Sequence, residues 1–279
     1  MTRDLVLPGG FICLPSGDPL LCPLHEKAQR ETDNTLRQLL FIEELLQRGT
    51  QCVRQSHVVE FHRLAVEGVF QCGGQYRVVS RTAELEGGGV THEPPEPALV
   101  PGLMLDAIDS INNRLRRSRK LGKSVKGSQF ALDAAAYALW RLNWVHPFAG
   151  GNGRTARAVC HLVLCIDFGS AIPGTPSVPT IIHRQRDRYI GALRAADAAA
   201  LEGREDVGQV LQLVGDAVVE QLDAAIVAAT AENARLKKLV AELHEKAGGS
   251  VPADQAVAPP LGPAHPDVPP AESAPDDDE

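Results

Sequence analysis

The sequence predicts a mainly α-helical protein carrying one small β-hairpin, and three observations predict it. Aromatic residues make up only 4% of the 279 positions while Ala and Leu abound, a composition suited to helix packing rather than a sheet sandwich. Apolar residues recur at three- and four-residue spacing through most of the chain, the period of one helix face. Gly, Pro and β-branched residues concentrate between Tyr76 and Pro95, where that period fails.

Taken in order, the first twenty residues are punctuated by Pro and Gly and are expected to be irregular. From His25 to Gln47, Leu36, Leu39, Leu40 and Leu46 mark an amphipathic helix closed by Gly49. A second helix is expected over Ser56–Val66, with Ser56 as N-cap, Val59, Leu64 and Val66 turned inward, and Gly68 past its end. Tyr76, Val78 and Val79, the glycines at 87–89, and Val90 ahead of Pro94-Pro95 read as the hairpin. Pro101 is well placed to open a helix over Leu103–Arg117. A basic, glycine-broken connection follows. Phe130, Ala134, Ala138, Leu142 and Val145 form one stripe of a helix over Gln129–Val145, and Thr155–Phe168 forms the next, with Gly169 at its end. Pro173–Pro179 reads as a loop, Ile181–Ala196 as a helix, and 206–247 as helical pattern broken into two. Beyond Gly248 the Pro-, Ala- and Asp-rich composition offers too little apolar surface to fold. The chain thus divides into an N-terminal irregular segment and helix (1–49), a central domain (50–205), C-terminal helices (206–247) and a disordered acidic tail (248–279).

Bulk properties narrow the function. The net charge of −7 disfavours a protein that coats nucleic acid. The six cysteines form no C-x-x-C pair and no finger-like Cys/His spacing, which fits reduced thiols. With no signal-like N-terminus and no apolar run long enough to span a bilayer, the expected location is cytoplasmic, without membrane association.

The densest chemistry lies at 146–157, His-Pro-Phe-Ala-Gly-Gly-Asn-Gly-Arg-Thr-Ala-Arg. A helix ends near Val145 and another begins near Arg154, so the glycine-rich segment lies at a helix N-terminus, where N–H groups and the macrodipole attract an anion. Gly151 and Gly153 allow backbone conformations that a side chain would block, and Asn152 tolerates the left-handed region. Arg154 and Arg157, three apart, can hold phosphate oxygens together. His146 sits beside the anion as a proton acceptor, and Pro147 and Phe148 fix the turn, with Phe148 plugging inward. Singly, each residue has an ordinary structural reading; a turn alone has no need of the combination.

The string resembles the signature of the Fic (Fido) family, His-Pro-Phe-x-(Asp/Glu)-Gly-Asn-Gly-Arg-x-x-Arg, departing only at Gly150. Upstream, Gly74-Gln-Tyr-Arg77, Gly89-Val-Thr-His92 with Pro94-Pro95, and Val100-Pro101-Gly-Leu-Met104 resemble that family's flap hairpin and following helix. Downstream, Arg188-Tyr-Ile-Gly-Ala-Leu193 with Asp197 resembles the helix that closes its nucleotide pocket. The resemblance covers about residues 50–205 and implies a Fic-type helical bundle with a hairpin flap. It implies transfer of AMP from ATP to a Ser, Thr or Tyr hydroxyl of a target protein. His146 would be the general base. Gly151, Asn152, Gly153, Arg154 and Arg157 would bind the phosphates, Val90, Thr91 and His92 of the flap would dock an extended target segment, and Tyr189 would close the pocket. Where the family carries an acid that holds Mg²⁺, Gly150 offers no ligand, so the resemblance implies Mg²⁺ held largely by the phosphates. It leaves open a non-catalytic nucleotide- or phosphate-binding role, or transfer of another phosphate-containing group. A separate inhibitor protein and a homodimer are both compatible with it.

The family's autoinhibitory string, (Ser/Thr)-x-x-x-Glu-(Gly/Asn), is matched by Thr82–Gly87, but that segment lies in the expected hairpin, where a helix-borne glutamate cannot be presented. No better match lies in the N- or C-terminal helices. The seven basic residues between Arg114 and Lys126 read as a solvated connection, His161 as a packed histidine, and Cys160 and Cys165 as core. Leu236, Leu239 and Leu243 could dimerise or pack back on their own domain.

Overall fold

The computed structural model describes residues 20–71, 73–80 and 90–246, together with the short segments Leu5–Leu7, Phe11–Cys13 and Ala83–Glu84. Helices dominate: α1 (Leu24–Gln47), α2 (Gln55–Val66), α3 (Val100–Lys120), α4 (Val125–Val145), α5 (Asn152–Phe168), α6 (Val178–Arg184), α7 (Arg186–Leu201) and α8 (Gly208–Lys246). Two antiparallel strand pairs accompany them, β1 (Leu5–Leu7) with β2 (Phe11–Cys13) and β3 (Ala83–Glu84) with β4 (Val90–His92). Residues up to Thr230 form one compact unit and those from Ala231 a second.

Helix α5 is the centre of the first unit. Every residue from Thr155 to Ile166 is buried, so this helix is enclosed on all sides, as the core helix of a bundle must be. Helices α3 and α4 pack as a pair, α4 lies along α5, and α2 covers the other flank near its N-terminus. Phe61, Ile111, Leu139, Leu142, Phe148 and Leu162 fill the space between.

Several boundaries differ from those the sequence predicts, each for a local reason. Leu5-Val6-Leu7 and Phe11-Ile12-Cys13 pair as strands where irregular chain was expected, with Leu5 opposite Cys13. Helix α2 is capped by Arg54 rather than Ser56: the Arg54 N–H donates to His57 Nδ1 at 3.3 Å, and Ser56 lies inside the first turn. The hairpin is shorter than predicted. Tyr76, Val78 and Val79 belong to no strand, because main-chain and side-chain bonds of Arg77 commit that stretch elsewhere. Helix α4 begins at Val125, four residues early, because Ser124 Oγ accepts the Gly127 N–H at 3.1 Å. The loop at 173–179 ends sooner because Pro179 fits a first helical turn, where a missing N–H costs nothing. The predicted helix over 181–196 is split at Gln185 into α6 and α7. The C-terminal pattern is one unbroken helix, not two. Thr230 does not interrupt it, its hydroxyl bonding back to the Ile226 carbonyl at 2.8 Å. The tail beyond Lys246, and Thr82, Glu86 and Gly87 of the rejected autoinhibitory string, lie outside the described residues.

Candidate active site

The signature forms the reversal between α4 and α5. His146 takes the left-handed conformation (φ 48°) as the C-cap of α4, its N–H donating to the Leu142 carbonyl at 3.1 Å. Gly151 takes the same region at φ 75°. A Cβ there would lie 2.7 Å from Val66 Cγ1, so glycine is required both conformationally and sterically. Gly153 and Asn152, by contrast, are ordinary residues of the first turn of α5. The left-handed step expected of Asn152 is taken by His146 instead.

Three buried polar side chains hold this reversal. Asn152 clasps the main chain of Phe148, Oδ1 accepting its N–H at 2.9 Å and Nδ2 donating to its carbonyl at 2.8 Å. The side-chain amide is thereby committed to the shape of the loop. Phe148 is fully buried and stacks on His62, ring centres 3.7 Å apart and planes within 4°. His62 in turn is fixed at both nitrogens. Nδ1 accepts the Gly74 N–H at 2.9 Å, which leaves Nε2–H to donate to the Gly150 carbonyl at 2.9 Å. Burial, aided by Arg154, pushes the His62 pKa down to about 4, so the ring is neutral near pH 7. The third brace is Arg77, only 4% exposed. Its Nε donates to the His146 carbonyl at 2.7 Å, and Nη2 reaches the Val145 carbonyl at 3.4 Å and the Pro95 carbonyl. Its main-chain N–H donates to the carbonyl of buried Pro147 at 2.8 Å. The end of α4 and the chain leaving the hairpin therefore share one guanidinium.

On the other side of the loop, Arg154 and Arg157 open into a cavity of about 440 Å³ between α1, the N-terminus of α5 and the α6–α7 corner. Gly151 and Gly153 line it together with Glu31, Thr32, His183 and Arg186. Arg154 donates to the Ala65 carbonyl at 2.6 Å and pairs with Glu31 of α1 at 3.1 Å. Its pKa is lowered, chiefly by burial. Arg157, 9% exposed, lies 5.8 Å over the Tyr189 ring. Tyr189 is buried, its hydroxyl accepting from Asn143 Nδ2 at 2.8 Å, and it supports Arg157 rather than lining the cavity. The His183 pKa is lowered by burial and by Arg157 and Arg186. Three guanidinium groups against one carboxylate make the cavity positive and suit it to a multiply charged anion. His146, half-buried at the end of α4, stands outside this lining.

Strand β4 contains Val90, Thr91 and His92. The His92 ring is engaged internally: Nε2 donates to the Trp144 carbonyl at 2.6 Å, and Nδ1 lies 3.4 Å from Asp197. Asp197 also accepts from Trp140 Nε1 at 2.8 Å, and burial raises its pKa. As for a divalent cation, no three His, Cys, Asp or Glu side chains converge among the described residues. Gly150 is not a steric necessity, since a Cβ would meet only the Phe70 ring at 3.8 Å. Gly150 itself offers no ligand to a cation, and the carboxylate that lines the neighbouring cavity is Glu31.

Sequence reasoning missed Glu31, His62, His183 and Arg186 and quoted Arg77 only as part of the flap. One signal was available: His62 falls at helical spacing among the apolar inward residues Val58, Phe61 and Ala65 of α2. The others act on residues far away in the chain. Of the residues set aside, His161 is buried with only a 3.8 Å contact to Cys165, and Arg114 stacks 3.9 Å over Tyr137 while pairing with Asp133.

Residues 52–164 match the Fic/DOC family profile. A protein adenylyltransferase Fic of Drosophila persimilis is 30% identical over 167 residues, which cover 60% of this chain and 27% of that protein. A Fido domain-containing protein of Dictyostelium discoideum is 32% identical over 109 residues, 39% of this chain and 65% of that one. The chain thus spans about a quarter of the adenylyltransferase's length. Among solved structures, a Fic domain-containing signaling protein of Bacteroides thetaiotaomicron superposes with a TM-score of 0.56 at 21% identity, covering 74% of each chain. Fic-1 of C. elegans does so with a TM-score of 0.50 at 22% identity, over 80% of this chain and 54% of that one. These likenesses carry the fold. The signature, the braced reversal and the family match thus fall on the same stretch: residues 52–164 match the Fic/DOC family, and the fold resembles that of solved Fic-domain proteins.

Proposed function

We propose that the chain is a protein adenylyltransferase, transferring AMP from ATP to a hydroxyl side chain of another protein. The observation that carries this reading is the arginine-lined cavity opening at the α5 N-terminus, with His146 held at the end of the preceding helix by the same loop. Arg154, Arg157, Arg186 and the N–H groups of the first turn would hold the phosphates. The His146 imidazole would accept the proton of the target hydroxyl, whose oxygen attacks the α-phosphorus. The bond from that phosphorus to the β-phosphate oxygen breaks, and pyrophosphate leaves. Negative charge growing on the leaving group would be met by guanidinium groups already fixed by packing. The target segment would pair with the hairpin at β4, main chain to main chain.

The test is intact-mass spectrometry of the chain incubated with ATP and Mg²⁺, wild type beside His146→Ala, with self-labelling and a panel of candidate targets as readouts. One AMP added by wild type, falling by about 100-fold or more in the variant, is expected. Nucleotide binding without any adduct from either protein would instead support the non-catalytic binding role.

A further inference from the structure

We propose that the distal half of α8 is one strand of a parallel two-stranded coiled coil, and that its partner is a second copy of this chain. Every residue from Ile226 to Glu245 is exposed, including Ile226 at 63%, Leu236 at 47%, Val240 at 50% and Leu243 at 56%. A stripe of branched apolar side chains open to water along a helix of this length calls for a cover.

The stripe repeats every seven residues. Ile226, Asn233 and Val240 occupy one position of the heptad, and Ala229, Leu236 and Leu243 fall three residues after each. This is the alternation of the inward a and d positions of a coiled coil, with β-branched residues at a and Leu at two of the three d positions, the two-stranded preference. The polar exception is Asn233, at a. In a parallel, in-register pair the two Asn233 amides meet and hydrogen-bond to each other. In an antiparallel pair an a residue faces d residues, so each amide would be buried against Leu or Ala. The flanking charges agree: Glu232 at g lies five residues before Lys237 at e, so in the parallel pair Glu232 of each copy faces Lys237 of the other. The outer b, c and f positions carry Val227, Ala228, Ala231, Ala234, Arg235, Lys238, Ala241, Glu242 and Glu245, and Leu239 at g widens the apolar seam, with Arg235–Glu232 and Lys238–Glu242 as pairs within one helix. Self-association follows because one sequence supplies both halves of each match.

The experiment is sedimentation of the full chain through a dilution series. Wild type is expected at twice the 29.9 kDa chain mass, and Leu236→Lys at the monomer mass, with an unchanged main thermal transition because position 236 lies outside the buried core. Orientation is read separately from Ala229→Cys and Leu243→Cys, oxidised against a wild-type background. Parallel, in-register strands cross-link at both sites, whereas antiparallel strands cross-link at one at most. A monomeric wild type, a dimer that Leu236→Lys leaves intact, or cross-linking at only one site would each overturn the proposal. All three readouts are independent of catalysis and of the proposed activity.

Discussion

The two sides of the signature loop are built on opposite principles. Toward His146, three buried polar side chains are spent on the main chain: Arg77 meets carbonyls, Asn152 and Phe148 exchange hydrogen bonds, and neutral His62 bridges Gly74 and Gly150. Toward the cavity, guanidinium groups crowd together around a single acid, Glu31. One side is a finished scaffold and the other an anion site held ready. Catalysis by positioned groups needs both, since charge can be aimed at a phosphate only if the loop carrying it does not relax.

The largest effect is expected from breaking the scaffold. Arg77→Ala strips the half-buried His146 and Pro95 carbonyls of a buried donor, at a cost of about 1–3 kcal/mol for each group left unmet. A drop of about 3–4 kcal/mol in urea-derived stability is expected. A loss below about 1 kcal/mol would show that the guanidinium is not the brace. Asn152→Ala should cost about 2 kcal/mol by the same reasoning, from the Phe148 N–H and carbonyl.

Acid probes the scaffold without mutation. The pKa values of His62 and His161 are both pushed down to about 4 by burial, so the unfolded chain takes up these protons below its ordinary histidine pKa while the folded one does not. The stability they contribute is therefore fully present above about pH 6.5 and lost as pH falls toward about 4, with a limiting slope of about 1.4 kcal/mol per pH unit for each ring. In urea titrations across that window, His62→Gln should flatten the slope by one proton. An unchanged slope would mean that His62 titrates alike in both states.

On the cavity side, Arg157→Ala should weaken ADP binding by about tenfold to a hundredfold in calorimetry, the range of a lost charge-assisted contact. Its effect on stability should be smaller than that of Arg77→Ala. Equal loss of stability in the two variants would erase the contrast between the sides.

The sequence makes these two sides unequally legible. The signature is local, so His146, Gly151 and the arginine pair could be read as one turn, and the helices around it follow from their stripes. Helix α5 has no such stripe because it is buried all round, yet its flanking glycines reveal it. The braces are not local. Arg77 acts 69 residues away on His146, and His62 acts 88 residues away on Gly150. Neither distance leaves a periodic trace. The hairpin lies later than its side chains predict for the same reason: Val78 and Val79 have strand-like side chains, but the adjacent Arg77 spends its N–H and guanidinium on the α4 reversal. The sequence pattern predicts a break in α8, whereas the helix runs on from Gly208 to Lys246.

Glu31 gives the smallest expected effect and the sharpest comparison. It lies on α1, where no autoinhibitory string can be read, yet its carboxylate is 3.1 Å from Arg154, in the cavity where phosphate is proposed to bind. An arriving phosphate must share or displace that partner. Removing the charge with Glu31→Gln keeps the shape and the stem of the side chain, and frees Arg154 except for its bond to the Ala65 carbonyl. ADP affinity should rise about threefold to tenfold, as for the loss of one partly exposed ion-pair competitor. The gain should vanish in Arg154→Lys, whose single ammonium cannot hold the Ala65 carbonyl and a phosphate in the same fork geometry. Unchanged or weaker binding in Glu31→Gln would mean that the carboxylate orients Arg154 for the ligand. Glu31 would then belong with the scaffold, and the charged side of the loop would be as finished as the other.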